Sequence, residues 1–112
     1  SLWCKIYFER QICVMQFSIR TNNYQNQSML NICDANILGK KIIQNELTVH
    51  ISENYYGDRF VEQDEAESLL KNSSIINMAG KETISLALKL GIGSKNAVKL
   101  ISDVPFLIIF QA

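Results

Sequence analysis

Ser74-Ile75-Ile76-Asn77-Met78-Ala79-Gly80-Lys81-Glu82-Thr83-Ile84-Ser85-Leu86-Ala87-Leu88-Lys89-Leu90-Gly91-Ile92-Gly93 decides the fold of this 112-residue chain. Ser74 to Met78 is a short β-like run and Ala79-Gly80 a turn. Lys81 to Leu90 then carries helical spacing and is stopped by Gly91 and Gly93. Ile84, Ala87, Leu88 and Ile92 fall on one stripe, and Leu86 and Leu90 widen it, which predicts a well-buried helix. Downstream, Ala97 to Ile101 and Phe106 to Phe110 read as strands, separated by Ser102-Asp103-Val104-Pro105. Strand, helix and strand in this order predict a βαβ-like unit with a right-handed crossover. The unbroken apolar run Phe106 to Phe110 predicts a central strand buried on both faces. Left uncovered, the same run would be an aggregation-prone or dimer-forming edge.

Upstream, acidic residues at 53, 58, 62, 64, 65 and 67 face Arg59 alone. The later acids open a helix at about 62 to 71, where carboxylates suit the positive end of the dipole and Lys71 the negative end. Ala66, Leu69 and Leu70 form its stripe, with Val61 just before it. Glu46 to Ile51 alternates, with Leu47, Val49 and Ile51 inward and Glu46, Thr48 and His50 outward. Asp34-Ala35-Asn36-Ile37-Leu38-Gly39 suits one helical turn, capped by Asp34 and ended by Gly39. Met29 to Cys33 is a short strand, and the polar residues 21 to 28 read as an exposed loop. At the N-terminus, a hairpin tip at Arg10-Gln11 would set Phe8 opposite Cys13, Ile6 opposite Met15 and Cys4 opposite Phe17. That register puts an apolar set on one face and keeps Cys4 away from Cys13. The sum is a single α+β domain spanning 1–112. It has one mixed sheet, antiparallel in its N-terminal half and βαβ-like at its C-terminal end, covered by two main helices.

Eleven basic residues balance eleven acidic ones, so the formal net charge is zero, and 47% of residues are hydrophobic. This composition excludes a disordered or low-complexity chain and argues against a generic electrostatic nucleic-acid binder. The longest apolar run, Val104 to Phe110, is far below the ~20 residues of a membrane-spanning helix. Three cysteines (Cys4, Cys13, Cys33) are an odd set without a C-x-x-C pair, and no secretory signal precedes them. They predict inert thiols in a reducing cytosol, without a metal or a cofactor.

Four segments carry a family resemblance: Ile32 to Lys40, Tyr55-Tyr56-Gly57, Ile76 to Glu82, and Asp103-Val104-Pro105. In order and spacing they resemble the small archaeal family catalogued as domain of unknown function number 424, from about Leu30 to Pro105. The resemblance implies a cytosolic archaeal protein and no particular activity.

The candidate contact residues are Asp34, Lys40, Lys41, Tyr55, Tyr56 and Lys81. Asp34 reads as a cap or as a ligand for a metal or a ribose hydroxyl, and Lys40 and Lys41 as solvated charges or phosphate contacts. Of Tyr55 and Tyr56, one packs on the core and the other closes a loop, unless both are exposed to stack bases. Gly80-Lys81 opens a helix where backbone N–H groups can bind an anion, although the full phosphate-loop pattern is missing. His50, the single imidazole, faces outward with no orienting carboxylate, so no catalytic residue is assigned. The sequence therefore predicts a non-enzymatic cytoplasmic interaction module, monomer or homodimer, for RNA or a ribonucleoprotein such as the translation apparatus. The alternative is a small-molecule or nucleotide-binding enzyme or sensor built near Asp34 and Gly80-Lys81.

Overall fold

In the computed structural model, the turn at Gly80 ends a strand at the centre of a mixed sheet. The structure describes the backbone of residues 2–7 and 10–111 and the side chains of residues 15–111. In chain order the elements are β1 (Leu2–Tyr7), β2 (Arg10–Tyr24), β3 (Gln27–Asp34), β4 (Lys41–Gln44), β5 (Leu47–His50) and α1 (Glu53–Tyr56). They continue with β6 (Arg59–Glu62), α2 (Gln63–Asn72), β7 (Ile75–Ala79), α3 (Lys81–Lys89), β8 (Lys99–Ile101) and β9 (Val104–Phe110). Single 3₁₀ turns lie at Ala35–Ile37 and Lys95–Ala97.

The main sheet has the order β1-β2-β3-β7-β9-β8, and β6 pairs with β2; β4 and β5 form a separate ribbon. Only β3 and β7 pair in parallel among the described residues. Strands β7 and β8 are each antiparallel to β9, so they run parallel to one another with β9 between them. The expected βαβ-like unit is thus present in split form. The fold is α+β, with the mixed sheet and two main helices that the patterning predicts.

Alternation along the strands divides the core between two faces. On the first, Phe17, Ile32, Ile76, Met78 and Leu107 pack beneath Leu70 of α2 and Ile84 and Ala87 of α3. On the second, Cys33 and Ala79 of the sheet meet Ile51 and Tyr56, with Ile37, Ile42, Val104 and Phe106 around them. The first face is covered by helices, whereas the second is covered by the β4-β5 ribbon and α1.

Several expectations are corrected. Arg10 and Gln11 are strand residues, opposite Tyr7 and Ile6, and the register sets Cys4 opposite Cys13 and Leu2 opposite Met15. The reason is that Phe17 is already paired with Asp34 of β3 and Val61 of β6, so β1 meets only the first half of β2. Register therefore does not separate Cys4 from Cys13. Phe8 lies outside the described residues. Residues 21 to 28 are exposed, but they are not a loop. Thr21 to Tyr24 pair with Gln27 to Leu30 around a two-residue turn, with Gln25 at φ 50° and Asn26 at φ 65°. Two consecutive positive φ values match the twist of a hairpin, and asparagine tolerates them. Ser102 (φ 48°) and Asp103 (φ 68°) make the same kind of turn, so Val104 and Pro105 belong to β9. Leu47, expected inward, is half exposed at the ribbon tip. β9 is internal yet not buried on both faces: Leu107 is buried, while Ile108 and Phe110 are 60% and 75% exposed. The cover on the second face stops at Phe106.

Candidate functional site

Parallel neighbours deliver their C-terminal ends to one rim of a sheet, and a crevice opens where the chains leave to opposite faces. Here β3 leaves through Ala35–Ile37 to the second face, whereas β7 leaves through Gly80 into α3 on the first. Asp34 and Gly80 stand at that divergence. The Asp34 carboxylate does not cap its own 3₁₀ turn. It reaches across to α3, accepting Glu82 N–H at 3.0 Å on Oδ2. On Oδ1 it accepts Thr83 N–H and the Thr83 hydroxyl, both at 2.8 Å. The cap expected locally is thus a tertiary one, placed because Asp34 shares the face of Ile32 and points under α3. Gly80 is required twice over: its φ is +111°, and a Cβ there would lie 2.4 Å from Asp34 Cγ. Gly80 N–H in turn donates to Pro105 O at 2.9 Å.

A cavity of about 230 Å³ opens over this rim, lined by Ile37, Lys81, Ser102, Asp103 and Pro105 beside Asp34 and Gly80. Lys81 is exposed at its mouth. The N–H groups that would hold a phosphate at the start of α3 are engaged by Asp34, which occupies the anion position with the chain's own carboxylate. An incoming phosphate would meet that charge and Asp103, with Lys81 opposing them.

The second-face layer is fastened to the sheet by side chains that the sequence reading did not single out. Three successive carbonyls at the end of α1 accept hydrogen bonds from sheet residues. Asn31 Nδ2 donates to Tyr55 O at 3.0 Å, Ser18 Oγ to Tyr56 O at 2.8 Å, and Arg20 Nη2 to Gly57 O at 3.2 Å. Asn77 Nδ2 donates to Asn31 Oδ1 at 2.8 Å, extending the row across β7. A four-residue helix leaves most of its carbonyls orphaned, and these donors satisfy them. Gly57 fits because a Cβ would crowd Glu53 Cα at 3.0 Å. The signal in the sequence was two asparagines inside apolar strands, since a buried amide needs a partner.

That mount sets the two tyrosines apart. Tyr56 is buried, and burial, with Tyr55 and Cys33 adding to it, pushes its hydroxyl above the ordinary tyrosine range. Tyr55 is 44% exposed and meets the Tyr56 ring edge-on, with centroids 4.8 Å apart. Gly39 N–H donates to Ile51 O and Ile51 N–H to Lys40 O, which fixes Lys40 beside the start of α1. Lys41 pairs across the ribbon with His50, and both lysines are exposed. Lys40, Lys41 and Tyr55 therefore belong to one layer, while Asp34 and Lys81 meet at the rim crevice. Cys33 is fully buried; burial, then the neighbouring Asp34 charge, pushes its thiol up to about 12. Among the described residues no three His, Cys, Asp or Glu side chains are grouped to hold a metal, and no helix is long and apolar enough to cross a membrane.

Three of the four segments that carry the family resemblance meet at this rim, where Asp34 stands against Gly80 and Pro105 accepts from Gly80 N–H, whereas Tyr55 to Gly57 lie on the second face. Among solved structures, an uncharacterized conserved protein from Methanopyrus kandleri shares the fold. The similarity has a TM-score of 0.70 at 20% identity, over 85% of this chain and 90% of that one. Among curated proteins, none matches. The family model described as Protein of unknown function (DUF424) matches residues 22–112, and the chain belongs to that family.

Proposed function

We propose that the protein is a non-enzymatic interaction module of the archaeal cytosol, and that its partner is RNA or a ribonucleoprotein such as the translation apparatus. The observation that carries this reading is the mounting of Tyr55: a half-exposed ring on a backbone held by three sheet side chains, with Lys40 and Lys41 in the same layer. An aromatic fixed before contact loses little entropy on binding, and its face can stack a base for ~1–3 kcal/mol. Neutral overall charge supplies no long-range attraction, so affinity must come from these local contacts. Cosedimentation with ribosomal subunits and RNA in archaeal extract tests the proposal. The expected result is binding that weakens with salt, falls about tenfold in Tyr55→Ala, and is lost in Lys40→Glu/Lys41→Glu. Gradient profiles identical for the wild type and these variants would overturn it.

The crevice at the ends of β3 and β7 supports a second reading, a small-molecule site near Asp34 and Lys81. Because Asp34 already fills the anion position, that ligand would be neutral or cationic rather than a nucleotide. A native-state ligand raises the melting temperature, so a thermal-shift screen separates the two readings.

A further inference from the structure

Among the described residues, Arg20 Nε is the one buried side-chain nitrogen or oxygen without a hydrogen-bond partner. The guanidinium donates once, from Nη2 to Gly57 O at 3.2 Å, and no described carboxylate pairs with it. A buried donor left unpaired is costly unless something outside the chain supplies the acceptor. Strand pairing shows what surrounds it on the second face. Arg20, Asn31, Asn77 and Ile108 form one row across β2, β3, β7 and β9, and Phe110 stands in the next. Helix α1 reaches the Arg20–Asn31 end of the first row, whereas Ile108 and Phe110 are 60% and 75% exposed. On this face, β3, β7, β8, β9 and residues 18–24 of β2 present two charged side chains, Arg20 and Lys99, both positive. Glu53 and Asp58 of the covering layer line a different cavity, with Leu38 and Phe60.

We infer, resting on the RNA reading above, that this open half-face takes RNA as a single strand, with phosphates at Arg20 and Lys99 and bases on Phe110 and Tyr55. Arg20 and Lys99 stand on opposite sides of the face, four strand spacings or roughly 20 Å apart. That span has room for two or three splayed bases, and both rings lie within it, Phe110 on β9 and Tyr55 mounted over Asn31 of β3. A cavity of about 280 Å³ beside Ile108 opens at Lys99. Phosphate suits Arg20 because its planar fork is already fixed by Gly57 O and keeps N–H groups to spare. Asn31 spends both ends of its amide, on Tyr55 O and on Asn77 Nδ2. The floor therefore reads little of a base edge, and bases are held by stacking with slight sequence preference. Duplex RNA keeps its bases inside the helix and cannot use the rings. An acidic peptide would satisfy the cations but leave both rings without a planar partner, which favours the nucleic-acid strand.

Fluorescence anisotropy with a labelled oligouridylate, over a series of salt concentrations, tests this. The expected result is binding that Phe110→Ala weakens about tenfold. Arg20→Gln and Lys99→Gln each flatten the log–log salt slope by about 0.7, the share of one phosphate contact on a single strand. Lys71→Gln, an exposed lysine on α2 across the sheet, leaves affinity and slope unchanged. Phe110 and Lys99 are exposed, so their variants keep the wild-type melting temperature and read the face even where Arg20→Gln loosens α1. RNA binding that is lost in Lys40→Glu/Lys41→Glu yet unchanged in Phe110→Ala and Lys99→Gln overturns this inference and leaves the proposed function standing. A wild type that binds no RNA overturns both. Duplex RNA bound as tightly as the single strand, or polyglutamate bound in its place, also overturns the inference.

Discussion

Asp34 is a buried carboxylate that binds inside its own fold what a ligand phosphate would bind at a helix start. Its oxygens take two N–H groups of α3 and the Thr83 hydroxyl. Asp34→Ala leaves all three donors unpaired in a site from which water is largely excluded. The expected loss is about 2–3 kcal/mol of unfolding free energy in urea. Asp34→Asn, which keeps one accepting oxygen, loses about half as much. Gly80→Ala combines a strained φ of +111° with a Cβ only 2.4 Å from Asp34 Cγ, and loses about 2 kcal/mol or more. Because part of that loss is collision with Asp34, the double variant Asp34→Ala/Gly80→Ala is destabilised by less than the sum of the two single changes. Strict additivity would mean that the two residues do not confront each other, and an Asp34→Ala protein as stable as the wild type would dismiss the cap.

Helix α1 shows how an element too short to form alone is imposed by its surroundings. Four residues cannot repay the nucleation of a helix, so α1 depends on the Ser52 cap and on Asn31, Ser18 and Arg20. Asn31→Ala orphans Tyr55 O and Asn77 Nδ2 together. It is expected to cost about 2 kcal/mol and to speed hydrogen exchange at Tyr56 and Gly57 more than in α3. Uniform acceleration in both helices would show global weakening instead of an unfastened layer. The same contrast explains what the sequence revealed. Helices α2 and α3 were legible because nine or ten residues carry a period and their boundaries carry acids, lysines and Gly91. Strands β4 and β6 and helix α1 hold four residues each, too few for any period to emerge. Thr21 to Ser28 were misread because a hairpin that runs past the core needs no apolar alternation. The run Phe106 to Phe110 was misread because apolarity reports what a strand could bury, not where its cover ends. The partners of Asp34 were illegible for a different reason: they lie 48 and 49 residues away.

For the molecule as a whole, the sheet separates a large helix-covered cluster from a small one, and the small one contains the Cys33 thiol and buried Tyr56. Both are pushed upward, so the native state holds each neutral where an unfolded chain would begin to ionise it. Unfolded Cys33 titrates near 9.0, whereas in the fold it titrates near 12. Between those values unfolding releases a proton, so stability falls as pH rises; below 9 the contribution of the thiol is intact. At pH 10 this linkage amounts to about 1 kcal/mol, and Tyr56 adds to it with the same sign at higher pH. The comparison that isolates it is the wild type against Cys33→Ala, measured by urea unfolding from pH 7 to 11. Their stability difference is constant up to about pH 9 and narrows above it, because only the wild type carries the extra titration. Thiolate chemistry gives the same expectation by another route: at pH 8 iodoacetamide modifies Cys33 only as fast as the cluster opens. Rapid alkylation at Cys33 itself in the folded protein, located by peptide mapping because Cys4 and Cys13 are also thiols, or a wild-type/variant difference indifferent to alkali, would place Cys33 in contact with water and remove the dry second core beneath α1.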